Sequence, residues 1–82
     1  MSAYGVSKFL FAFNSDAEVR SRFKSDPGQA MDGFPLEGEE RTALQSFDFK
    51  WLLNYGVHPL QLTALANGSG IPIPRYLEAI RS

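Results

Sequence analysis

The sequence of 82 residues contains no cysteine. This absence excludes a disulfide-stapled scaffold and catalysis by a thiolate, and it excludes the structural zinc sites that depend on cysteine sulfur. A chain without cysteine also suits a reducing compartment, and we therefore expect the protein to lie in the cytoplasm.

Histidine is almost as scarce, since His58 is the only one in the chain. A non-haem iron site generally needs two histidines and a carboxylate, and zinc sites without cysteine need several histidines. A serine nucleophile needs a base within reach, and His58 is the only standard candidate for that role. We therefore expect no metal or other cofactor bound by this chain alone, and we assign it no catalytic residue.

Neither sign of charge predominates, because eight Lys and Arg face nine Asp and Glu. No basic run indicates nucleic-acid binding, and the longest apolar stretch is far too short to span a bilayer. The opening MSAYGVSKFL also lacks the pattern of a signal peptide. The expected partners therefore include neither nucleic acid nor a membrane.

Aromatic side chains, in contrast, are plentiful, with seven Phe, three Tyr and one Trp. Val6, Phe9, Leu10 and Phe13 recur at the spacing of a helical stripe, which predicts an apolar face on one helix. No segment alternates at period two for long enough to indicate a strand. We predict a single all-α domain over residues 1–82, built as a compact bundle of about five to six short helices.

Capping residues mark several helix boundaries in the first half of the chain. Ser15 and Glu18 have the spacing of a capping box, which predicts that a helix begins after Ser15. Asp26 followed by Pro27 predicts another start, because proline suits the first helical position. Gly33 is placed to end that helix in the left-handed conformation.

The second half of the chain carries comparable signals. Residues Glu37 to Glu40 form an acidic first turn, which complements the helix dipole and whose simplest interpretation is a solvated face. Gly56 is the predicted stop of the helix that follows. The Ile71 to Pro74 segment predicts a stiff extended link, because a residue that precedes proline is pushed toward extended conformations.

The stretch NYGVHPLQL, residues 54–62, places His58 between the helix-stopping Gly56 and Pro59, which opens the next helix. An imidazole at such an N-cap position can bond to nearby backbone and hold the corner. Contact with a partner protein, or with a ligand held mostly by that partner, is the alternative, and proton transfer by His58 alone is a third. The residues alone leave these alternatives open.

Three pieces of sequence, in order, resemble the LigA family over residues 7–80. The first is SKFLFAFNSDAEVRSRFKSDPGQAMDGF, and the last is GVHPLQL, residues 56–62, the most distinctive signature. Between them, LEGEERTALQSFDFKWLLNYG is similar to the family pattern L-x-x-E-E-x-x-A-L followed by Asp, Leu and Gly. The positions that match this pattern are Leu36, Glu39, Glu40, Ala43, Leu44, Asp48, Leu53 and Gly56.

The resemblance implies an accessory role in an extradiol aromatic-ring-opening dioxygenase. Members of the family include the small helical α subunits of protocatechuate 4,5-dioxygenase, whose larger β subunit holds the iron and cleaves the ring with O2. The α subunit covers the active site of the β subunit. The resemblance therefore implies that the partner is a larger catalytic β subunit or another enzyme, and that the partner holds the Fe(II). It also implies that Tyr55, Gly56, His58 and Pro59 line the interface or the substrate pocket.

Two other functions are compatible with the residues. The same small fold resembles the leader domain of borosin precursors. The alternative function is therefore a stand-alone module that recognises a protein or peptide, such as a domain that itself docks on an α-N-methyltransferase. A self-contained enzyme would instead need a strongly perturbed His58 or carboxylate in a deep pocket. The sequence is also compatible with a homodimer.

Overall fold

A computed structural model describes residues 3–81, which form seven helices and no strand within that range. The helices are α1 (Tyr4–Ser15), α2 (Ala17–Ser25), α3 (Pro27–Met31), α4 (Gly38–Ser46), α5 (Phe49–Tyr55), α6 (Pro59–Gly68) and α7 (Ile73–Arg81). The predicted all-α class is confirmed, and seven helices are found within residues 3–81 where five to six were predicted. Within residues 3–81, no helix combines the length and the apolar character needed to cross a membrane.

Helix α1 lies at the centre of the core, packed mainly against α6 and α2. Its predicted apolar stripe is confirmed, because Val6, Phe9, Leu10 and Phe13 are all buried. The ring of Phe9 lies 5.6 Å from that of Phe23, between ring centres. Complete burial of one such side chain stabilises the fold by about 1.5–3 kcal/mol, so α1 supplies much of the apolar contribution to stability.

Two glycines allow this close packing around α1. A Cβ atom added to Gly5 would collide with the backbone carbonyl of Pro35. One added to Gly68, in α6, would lie 2.6 Å from Cε1 of the Phe13 ring. Neither position has room for even a methyl group, so α1 is held in place by shape as well as by apolar burial.

The predicted helix starts are partly confirmed. Asp26 caps α3, where its Oδ1 accepts the Gln29 N–H at 3.2 Å and Pro27 is the first helical residue. The prediction that Ser15 caps the second helix is wrong by one residue. Helix α1 continues through Ser15, and Asp16 caps α2 instead, its Oδ1 accepting the Glu18 N–H at 2.9 Å.

Left-handed backbone is found at three positions in residues 3–81: Gly56 with φ of 115°, Gly70 with φ of 77° and Phe47 with φ of 55°. The predicted stop at Gly56 is confirmed, whereas the prediction for Gly33 is wrong, because its φ is not positive. Phe47 ends α4 in a conformation that costs a non-glycine residue about 1–2 kcal/mol. Its ring lies 6.0 Å from that of Phe23, and this aromatic contact offsets the strain.

The predicted extended link of Ile71 to Pro74 is only half as long in the structure. Helix α7 begins at Ile73 and includes Pro74 in its first turn. The first amides of a helix have no intrahelical acceptor, so the missing N–H of Pro74 costs nothing there. The remaining link is anchored by the Ile71 N–H, which donates to the Ala66 carbonyl at 2.8 Å.

Candidate functional site

The four residues predicted to line an interface or pocket, Tyr55, Gly56, His58 and Pro59, lie at the end of α5 and the start of α6. Gly56 ends α5 in the left-handed conformation, and Pro59 is the first residue of α6. Between them, Nδ1 of the exposed His58 accepts the Leu60 N–H at 3.1 Å. His58 therefore caps α6, as one interpretation of the sequence predicted, and Nε2 is the ring nitrogen left for any other contact.

Tyr55 turns away from this corner and lines a groove between α4 and α5. We call it the α4–α5 groove. It consists of two adjoining cavities of about 400 and 290 Å³ that share Gly38, Glu39 and Trp51. The other lining residues are Glu37, Glu40, Thr42, Ala43, Ser46, Asp48 and Tyr55. The four predicted residues are thus divided, with three at the α5–α6 turn and one in the groove.

An aromatic pair forms one wall of the groove. Trp51 and Tyr55 lie one turn apart on α5, and their rings stack with centres 4.5 Å apart and planes inclined by 18°. Both side chains are half-buried. Residues four apart on a helix face the same side, so this stack follows from their spacing in the sequence.

A buried carboxylate joins the two helices behind this wall. Glu40 is only 3% exposed. Its Oε1 accepts the Glu37 N–H at 2.7 Å, and its Oε2 accepts the Tyr55 hydroxyl at 2.6 Å. One side chain thus satisfies a free amide at the start of α4 and ties that start to the end of α5.

The interpretation of this acidic turn as a solvated face is therefore wrong for Glu40, although it holds for the exposed Glu37 and Glu39. Glu40 is the third residue of α4, and a glutamate at that position reaches back toward the N-cap. The Tyr55 hydroxyl stands where it can donate to the remaining oxygen. Spacing in the sequence could indicate the capping contact but not the tyrosine, which lies fifteen residues away.

The same contact controls the acidity of the tyrosine. The hydrogen bond to Glu40 raises the pKa of Tyr55 to about 12, with further increases from burial and from the charges of Glu40, Glu37 and Glu39. The hydroxyl, which is a protonated donor at neutral pH in any tyrosine, therefore keeps its proton further into the alkaline range. Tyr55 is thereby suited to holding structure together and unsuited to acting as a base.

The side chains of this chain do not fit an iron site. Across residues 3–81, no group of three His, Cys, Asp or Glu residues is arranged to hold a metal ion. The buried Glu40 already uses both oxygens, and Nδ1 of His58 is engaged by backbone. We therefore derive no step of a reaction through iron bound to this chain.

A second surface was not anticipated from the sequence. Phe11 on α1 and Leu60 on α6 are 71% and 72% exposed, and both line a cavity of about 160 Å³. Asn14, Gln61 and Ala64 complete its sides together with Leu10. Phe11 lies off the buried stripe of α1, which is the one signal in the sequence that could have indicated an exposed aromatic ring here.

The pattern positions between Leu36 and Gly56 mostly build α4 and α5. Ala43 and Leu44 are buried in the core. Asp48 caps α5 by accepting the Trp51 N–H at 3.2 Å, and Gly56 ends that helix. The pattern therefore describes how the helices are joined, and it does not by itself identify a binding residue.

Comparison with known proteins gives one match. The family model described as "Aromatic-ring-opening dioxygenase LigAB, LigA subunit" matches residues 6–81, nearly the whole chain. No curated protein and no solved structure matches. The resemblance inferred from residues 7–80 is thus confirmed by an independent comparison.

Proposed function

The chain belongs to the LigA family, and on that premise we propose that it is a non-catalytic accessory subunit or domain of an extradiol ring-opening dioxygenase. It packs on a larger catalytic subunit and covers the opening of that subunit's active site. The family match carries this proposal, because its description names a subunit of an aromatic-ring-opening dioxygenase.

The composition of the chain supports an accessory role. Extradiol cleavage requires an iron with protein ligands, and a single histidine without cysteine does not supply such a ligand set. The Fe(II) is therefore assigned to the partner subunit. Tyr55, Gly56, His58 and Pro59 remain the residues proposed to line the interface or the substrate pocket.

A cover of this kind acts on the reaction without touching the metal. Closing an active site excludes water and holds the substrate near its reactive geometry, and both effects lower the barrier to reaction. The proposal is supported by the caps before and after α5 and by the hydrogen bond from Tyr55 to Glu40, which join α4, α5 and α6. The proposed substrate is a catecholic acid such as protocatechuate, and the proposed location is the cytoplasm.

The test begins with a search of the neighbouring genes for an extradiol catalytic subunit, whose absence would count against the proposal, and proceeds to reconstitution with that subunit. Ring opening of protocatechuate is measured for each polypeptide alone with Fe(II) and for the two together. We expect no turnover by this chain alone, a complex that co-elutes in size-exclusion chromatography, and a higher rate in the complex than in the catalytic subunit by itself.

Two results would contradict the proposal. Turnover by the isolated chain with Fe(II) would show that it is an enzyme in its own right. Failure to bind the neighbouring dioxygenase, with recovery of a methyltransferase in its place, would favour the recognition-module alternative.

A further inference from the structure

The α4–α5 groove carries negative charge with no basic residue among those that line it. Three exposed carboxylates stand along it, those of Glu37, Glu39 and Asp48. The ion pairs formed within residues 3–81 lie elsewhere, joining Arg22 to Glu18 and Arg41 to Asp32. The carboxylates of the groove thus have no ion-pair partner within residues 3–81, and Glu37 and Asp48 stand at the N-caps of α4 and α5.

The charges of two of these carboxylates, Glu37 and Glu39, act on the aromatic wall. Their influence is visible at Tyr55, whose pKa is raised to about 12 by the hydrogen bond to Glu40, by burial and by the charges of Glu40, Glu37 and Glu39. Negative potential of this kind attracts a cation into a partly enclosed space.

One residue of this wall is a tryptophan, whose ring system can bind a cation. Trp51 lines both cavities of the groove, and its stacked partner Tyr55 holds the indole in place. Tryptophan is the best aromatic acceptor of a cation, and the flat guanidinium group of arginine stacks on it while its N–H groups bond to carboxylates.

We propose that the α4–α5 groove receives an arginine side chain presented by the protein on which this chain packs. The guanidinium lies against the Trp51 indole and pairs with the carboxylate of Glu39. The identity of that protein rests on the function proposed above, whereas the chemistry of the groove does not. A metal ion is a poorer occupant, because the acidic side chains here form no metal-holding group within residues 3–81.

The experiment titrates the isolated full chain with N-acetyl-arginine amide, monitored by NMR. The control ligand is N-acetyl-citrulline amide, which has nearly the same shape and no charge. Trp51 is the only tryptophan, so its indole N–H signal is unambiguous. We expect the arginine compound, at up to tens of millimolar, to shift this signal and the Gly38 amide signal, and the citrulline compound to leave both unchanged.

Two variants sharpen the result. Glu39→Gln removes an exposed charge from the groove and should weaken binding about threefold to fivefold. Glu18→Gln is its matched control, since Glu18 is likewise the second residue of its helix but lies on α2, outside the groove. That variant should bind the arginine compound like the unaltered chain.

The proposal is overturned if arginine and citrulline compounds act alike, if neither shifts the groove signals, or if the two variants weaken binding equally. No partner is present in this titration, so a negative result leaves the accessory-subunit function standing. If the arginine compound binds but reconstitution fails, the groove is a cation site and the arginine comes from a protein other than the dioxygenase.

Discussion

Helix α1 and the α4–α5 groove show two different ways of joining helices in one small domain. On its buried face α1 makes mainly apolar contacts, and at Gly5 and Gly68 they leave no room for a methyl group. Between α4 and α5 the connection is polar, made by Glu40 and Tyr55, and open space remains beside it. At Gly38, in the groove, an added Cβ would meet nothing within 4 Å.

This difference in packing suggests that the region around α1 mainly stabilises the fold, whereas the α4–α5 groove is available for binding. Close apolar packing around α1 supplies free energy of folding, because the buried stripe of Val6, Phe9, Leu10 and Phe13 is used by the core. A hydrogen-bonded link contributes less to stability, but it holds two helices apart at a defined distance and leaves side chains accessible. Small domains have little stability in reserve, so a binding groove is best placed where the core is not disturbed.

The largest expected effect comes from adding one methyl group at matched glycines. Gly5→Ala should lower the free energy of unfolding by about 1–3 kcal/mol, because its Cβ meets the rigid Pro35 carbonyl. Gly38→Ala should leave stability unchanged or raise it by about 0.4–1 kcal/mol, since the site is open and alanine restricts the unfolded chain. Urea denaturation of both variants measures the difference. Equal effects would show that the two regions do not differ in packing.

The second prediction concerns the polar link itself. Glu40→Gln keeps one acceptor oxygen and turns the other into an amide donor, so the Glu37 N–H and the Tyr55 hydroxyl no longer both donate to a charged carboxylate. We expect the free energy of unfolding to fall by about 1–2 kcal/mol, the value of a hydrogen bond to a charged group in a buried place. Urea denaturation at neutral pH measures it, and an unchanged midpoint would show that the link does not hold α4 to α5.

The same link predicts a pH dependence. The pKa of Tyr55 is raised from 10.0 to about 12 in the folded chain, chiefly by its hydrogen bond to Glu40. The stabilisation by protonated Tyr55 is therefore complete below pH 10 and is lost as pH rises toward 12. Phenolate absorbance during an alkaline titration should show this late ionisation, which moves to lower pH in Glu40→Gln. Tyr55→Phe is the control, because burial also raises the pKa of Tyr76.

The smallest effect is expected at the corner that follows the groove. His58→Ala removes the cap of α6 and should cost about 0.5–1 kcal/mol, whereas His58→Asn should restore it because asparagine is a good N-cap. Urea denaturation measures the contribution of the His58 cap to the free energy of unfolding. The affinity for the catalytic subunit measures any further role of His58 in binding. If the asparagine variant regains stability but not binding, His58 contacts the partner. Full recovery of both would limit His58 to the fold.

Much of the fold could be predicted because its signals are local. The stripe of α1, the Asp26–Pro27 start and the stop at Gly56 each depend on residues within one or two turns of each other. The error at the start of α2 also has a local cause, because two neighbouring residues compete to cap the helix. Ser15 and Asp16 are adjacent residues that can both cap a helix, and the extent of α1 decided between them.

The candidate site was predicted less completely. Tyr55 was named from its place beside the Gly56–Pro59 signature, but its position in a groove with Trp51 follows from how α5 packs on α4. The exposed Phe11 and Leu60 come from two helices far apart in sequence and meet only in the folded chain. A family match could not supply these contacts, since its pattern consists largely of caps and core residues.

The amino-acid sequence by itself determined that the chain is helical and where many of its helices begin and end, because both depend on residue type and short-range spacing. Tertiary structure alone decided that Glu40 is buried against Tyr55 while Glu37 and Glu39 stay in water. A helical pattern specifies which face of a helix is apolar, but the side chain that meets a polar group is chosen by the packing of a neighbouring helix.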